Sequence, residues 1–137
     1  MKKYLLLLIL IAFSSCNDND DNHSAENRLE GKWSWVRTYG GFGGPTSSET
    51  SDQKVIIEIS NSTIKTYING NLSQQQKFFI ITKKSVFGGD RKMIVIDKGD
   101  FITQEYYFDR SFEFHGNKLY LIQECIDCST SEYERVK

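Results

Sequence analysis

From Lys32 onward the chain breaks into runs too short for helices and too regular for loops. Lys32–Tyr39, Lys54–Ile59, Thr63–Ile68, Leu72–Thr82 and Arg91–Asp97 are of strand length, and so are Thr103–Phe108, Ser111–His115, Lys118–Glu124 and Glu132–Val136. Each is apolar or alternating, the pattern of a chain whose successive side chains point to opposite faces of a sheet. Turn residues separate the runs. Asn69-Gly70 is a strong hairpin signal, because both central residues of a type I′ turn need positive φ. Gly116-Asn117 marks a second hairpin, and Gly88-Gly89-Asp90 precedes the fifth run. Runs joined by such short connections predict an antiparallel meander. An open meander exposes two edges to strand addition, and closure into a barrel removes them. The expected fold is therefore all-β, an antiparallel up-and-down β-barrel of about eight strands.

The length of 137 residues suits one such domain and one modest core. An aromatic content of 13% argues against disorder. The net charge is −1, and −3 once Lys2 and Lys3 are removed with the first 15 residues. That balance argues against a nucleic-acid partner, which selects a basic patch.

The N-terminus carries an export pattern. Lys2 and Lys3 precede an apolar run, Tyr4–Phe13, that is too short to span a bilayer and of the right length for a signal peptide. Phe13-Ser14-Ser15-Cys16 resembles a bacterial lipobox, with Phe13 where the family pattern prefers Leu. The resemblance implies a signal peptide over 1–15 and a lipid on Cys16, against the alternative of an ordinary secreted protein. Residues 16–28, beginning Cys16-Asn17-Asp18-Asn19-Asp20-Asp21, are expected to form an acidic polar tether, since they are poor in apolar surface. Acidic residues just after the lipidated cysteine resemble the Bacteroidetes signal for display at the cell surface. A plain solvated linker is the alternative. The implied location is the bacterial outer membrane, with the lipid as the membrane partner.

Residues 29–137 form the expected barrel domain. Gly31-Lys32-Trp33 matches the G-x-W signature that opens the first strand of lipocalins, and the stretch Leu29 to Trp35 resembles the start of small lipocalin-like domains in Bacteroidetes lipoproteins. The Tyr67-Ile68-Asn69-Gly70-Asn71 hairpin and the closing Tyr133-Glu134-Arg135-Val136 resemble the same domains. The resemblance implies that Trp33 plugs the closed end of the barrel and that Arg135 lies across it. It also implies a small apolar or amphipathic ligand. Against that, the chain is shorter than the larger lipocalins and lacks their C-terminal helix, so the barrel could equally be filled with side chains and act as a protein-interaction or inhibitor module.

Alternation places Trp33, Trp35, Arg37 and Tyr39 on one face of the first strand, and Val55, Ile57 and Ile59 inward on the second. The ligand-binding candidates are Trp35, Tyr39, Tyr106 and Phe108, with Phe42 of the Gly-rich loop as a lid contact; core packing is the competing role for each strand residue. Phe78–Ile81 and Met93–Ile96 are apolar on both faces, which predicts a cover over the outer wall: a loop, a second copy or a protein partner. In an exported protein Cys125 and Cys128 are expected to form a disulfide. Their Cys-x-x-Cys lies between strands and lacks the helix N-terminus that redox chemistry uses. His23 and His115 fit neither a zinc pattern nor a catalytic triad. No enzyme activity, metal or cofactor is expected.

Overall fold

The computed structural model describes residues 20–99 and 109–137. Cys16 and the signal segment, together with the sixth run and its candidates Tyr106 and Phe108, lie outside the described residues.

Alternation sets the wall. Ile57 and Ile59 of β3 (Val55–Ser60) are buried while Glu58 between them reaches Lys32 across the outer surface, 3.6 Å away. β4 (Thr63–Ile68) returns after a two-residue turn at Asn61-Ser62, and Asn69-Gly70 leads into β5 (Asn71–Lys84) with positive φ at both residues. β1 (Gly31–Gly40), β6 (Asp90–Ile96), β7 (Arg110–His115), β8 (Lys118–Gln123) and β9 (Ser129–Arg135) complete the sheet. Order around the wall follows the chain, all pairs are antiparallel, and β9 pairs back on β1. The result is a closed barrel of eight strands. A two-residue strand, β2 (Thr46–Ser47), pairs only with the upper part of β1.

The lower interior is filled. Trp33, Ile57, Ile59, Ile64, Phe78, Ile94, Leu119, Leu121 and Tyr133 form one buried cluster, with Trp35, Phe112 and Phe114 packed against it.

Within the expected tether, residues 20–28 are helical rather than extended linker. With Leu29 they form α1 (Asp20–Leu29), whose last turn meets the lower end of the barrel. Arg28 donates to the Gly116 carbonyl of the β7–β8 turn, the Asn61 amide of the β3–β4 turn donates to Glu30, and Glu26 pairs with Lys92 at 3.2 Å. Short helices owe most of their stability to tertiary packing, so polar composition alone does not forbid one. Here Leu29, the last residue of α1, is buried in the core and its carbonyl accepts a 2.9 Å bond from the Trp33 indole.

Arg135 completes that end. Its guanidinium lies 4.1 Å from the centroid of the Trp33 ring and donates to the carbonyls of Arg28 and Glu30, the exit of α1. Those carbonyls have no partner within a helix, and a cation there also complements the helix dipole. The close approach explains Gly31. Its φ is +130°, and a Cβ would stand 2.6 Å from Arg135 Nη1.

Candidate functional site

The upper end of the barrel is built differently, and a β-bulge in β1 causes the difference. Trp35 pairs with Tyr133, but Arg37 pairs with Glu132, so Val36 is an extra residue on its strand. A one-residue shift exchanges the faces of all that follows. Trp33 and Trp35 point inward as the alternation predicts. Arg37 and Tyr39 do not: they stand on the outer wall, and Thr38 takes the inward position. This corrects the single-face reading of β1.

Thr38 serves Trp35 directly. The Trp35 indole donates to Thr38 Oγ1 at 2.9 Å, and Thr38 Oγ1 exchanges a hydrogen bond with Ser131 Oγ at 2.9 Å. The indole is thereby fixed in orientation. Above it opens a cleft of about 500 Å³, with Trp35, Tyr133 and Val55 supplying apolar surface. Thr38 and Ser131 on one side, and Thr46, Thr50, Ser51 and Gln53 from the β1–β3 connection on the other, supply hydroxyls and one amide. No charged side chain lines it among the described residues. Burial pushes the Tyr133 phenol above its ordinary value, against the charge of Arg110, so it stays neutral at physiological pH.

The β1–β3 connection is held over this mouth by local bonds. The Ser48 amide donates to the Val36 carbonyl at 2.8 Å, on the bulge residue itself. Ser47 and Thr50 bond to each other through both side chain and backbone. A second cleft of about 520 Å³ shares Thr38, Thr46 and Thr50 with the first and continues to Tyr39 and Arg37.

Of the sequence candidates, Trp35 thus lines the mouth and Tyr39 lines only the adjoining outer cleft. Phe42 is 98% exposed and lines neither cleft, whereas Thr46 of β2 and Thr50 line both. Sequence reasoning missed Thr38, Thr46, Thr50, Ser131 and Gln53. Their residue types are ordinary in loops and on strand exteriors, and only the bulge and the β2 pairing bring them together.

Outside the mouth, the bulge assembles a row on the outer wall. Arg37, Glu132, Tyr120 and Glu113 follow one another across β1, β9, β8 and β7. Glu132 is fully covered by its neighbours and accepts from Lys118 and Arg37 at 2.6 Å each. The Lys118 hydrogen bond, and then that of Arg37, holds its carboxyl below the ordinary value against the opposing effect of burial.

The two-faced apolar strands also receive a partial cover. The β5–β6 turn reaches across β6 and β7 to the end of β8, where Ser85 Oγ and the Val86 amide donate to Glu124 at 2.8 and 3.0 Å. Met93, on the outer side of β6, is 0% exposed. Phe79, Ile81, Val86 and Phe87 nevertheless remain exposed on the same wall and turn.

The mouth loop between β8 and β9 carries a disulfide joining Cys125 and Cys128, with their Cα atoms 5.5 Å apart. The Ser129 amide and hydroxyl both donate to Gln123 Oε1 beside it.

Comparison with protein families, with curated proteins and with solved structures returns no match for this chain.

Proposed function

We propose that this chain is a lipocalin-like lipoprotein of the bacterial outer membrane that holds a small amphipathic molecule at the open mouth of its barrel. The observation that carries the binding function is the cleft above Trp35: apolar ring surface on its floor, hydroxyls on its walls, and a volume in the range of small-molecule sites. The ligand sits shallowly, because the interior beneath is occupied by Ile57, Leu119 and Leu121. The anchoring reading rests on the lipobox-like Phe13-Ser14-Ser15-Cys16 and the apolar run before it.

Two measurements test this. Radiolabelled palmitate fed to expressing bacteria should enter the chain and not its Cys16→Ser variant; equal labelling of both overturns the anchor. At least one small amphiphile of a panel that includes hexyl glucoside and octanoate, titrated into the full chain in phosphatidylcholine vesicles, should shift Trp emission saturably. No shift from a folded chain overturns the binding function.

A second reading is favoured by the exposed apolar wall. Phe79, Ile81, Val86 and Phe87 offer a contact for another protein or a second copy, and in that role the barrel is a scaffold. Its signature is loss of self-association or partner capture in Ile81→Lys with Trp titrations unchanged.

A further inference from the structure

We infer that the molecule held at the mouth is a neutral sugar, with one ring stacked on Trp35 and its hydroxyls bonded to the threonine, serine and glutamine side chains around it. The inference rests on the mouth being a binding site and specifies what it takes.

The charge of the lining argues first. A fatty acid or a phosphate headgroup entering the cleft would leave an anion partly desolvated beside Thr38, Thr46, Thr50 and Gln53, none of which can neutralise it. Arg110 acts electrostatically on Tyr133 but does not itself line the cleft. The shape argues next. An acyl chain needs a channel into the barrel, and Ile57, Leu119 and Leu121 fill that space.

The polar groups then select the class. A hydroxyl both donates and accepts, and a glutamine amide offers both functions at fixed spacing. A wall of such groups matches a ligand whose own periphery is hydroxyls, because each can reverse its direction to suit. Trp35 supplies the complementary surface. The negative π face of an indole attracts the positively polarised C–H groups on one face of a pyranose ring, as it attracts any positive edge. Its Nε1–H is already committed to Thr38, so the ring is held in place before a ligand arrives.

The test uses the full chain in phosphatidylcholine vesicles, read by Trp emission and, because Trp35 is itself the reporter, by isothermal titration calorimetry for every variant, with maltotriose, chitotriose, mannotriose and octanoate as probes. At least one trisaccharide should give a saturable shift. Trp35→Ala should abolish its binding, and Thr46→Val, which keeps shape and removes one hydroxyl, should weaken binding by about fivefold, the usual worth of one hydrogen bond. Thr46→Val guards against a misfolded Trp35→Ala. A response to octanoate with none to the sugars keeps the mouth as a site and overturns the sugar. Silence towards every probe from a folded chain overturns both. Sugar binding that survives both substitutions overturns the assignment to this cleft.

Discussion

Arg135 and Trp33 are directly paired across the seam where β9 meets β1, and the guanidinium that covers the indole also binds the carbonyls at the exit of α1. One side chain thus joins the last strand, the first strand and the helix. A cation over an aromatic ring is worth about 0.5–2 kcal/mol, and hydrogen bonds to a charged group about 1.5–3 kcal/mol. Arg135→Ala should therefore lower stability by about 2–4 kcal/mol, seen as a fall in the urea midpoint at unchanged slope. Arg135→Lys should recover only a minor part, because an ammonium lacks the planar fork that meets ring and carbonyls together.

Gly31 is coupled to that pair. Gly31→Ala meets both a positive φ of +130° and the Arg135 Nη1 atom at 2.6 Å. Displacing Arg135 would sacrifice its bonds, so the loss should be about 2 kcal/mol or more. In a double-mutant cycle with Arg135→Ala the two losses should add to less than their sum, because the steric part of the first vanishes when the guanidinium is gone. Strict additivity would show that the contact is not felt.

Glu132 gives a pH dependence whose sign is fixed. Its folded pKa lies below the reference of 4.5, chiefly through the hydrogen bond from Lys118. A depressed carboxyl contributes stability that is fully present above the unfolded value and drains away as pH falls through the folded one. Urea midpoints should therefore drop from pH 5 towards pH 3, and Glu132→Gln should flatten that drop. At pH 7 the substitution should cost about 1–2 kcal/mol, a charged hydrogen-bond value reduced for two half-exposed cationic partners.

The Cys125–Cys128 bridge closes a very short loop, with a sequence separation of 3. Loop-closure entropy then limits its contribution to about 2 kcal/mol. Reduction should shift the urea midpoint by no more than this and leave the barrel folded by far-UV circular dichroism. Unfolding on reduction would show a larger structural role.

The strands were legible because their burial is one-sided. Thr63–Ile68 has the same bounds in sequence and structure, and β3 differs by one residue at each end. Three features were not legible, each for a physical reason. α1 contains one large apolar residue, Leu29 at its end, and is held by contacts from residues far along the chain. β9 begins at Ser129 rather than Glu132, because its polar start is paired with the upper half of β1 and not selected by burial. The bulge leaves no mark on β1 alone, since an extra residue exists only relative to the partner strand. From it follow the misassigned Tyr39 and the unforeseen Thr38. Among the mouth residues, only Trp35 was named from sequence as a ligand contact, by its alternation with Trp33, while Val55 was placed inward as core.

Val36 decides the character of the mouth without entering it. In an unbulged strand the same residues would send a guanidinium and a phenol into the barrel and a threonine to the outside. Among the described residues, the uncharged lining of the cleft above Trp35 thus depends on backbone geometry as well as on the identities of the side chains. Losing or gaining a single residue at this point would convert a hydroxyl-lined opening into a cationic, aromatic one while leaving the plugged end and its filled core untouched. A barrel of this kind can change what it offers to its surroundings by an indel, with no need to rebuild the wall.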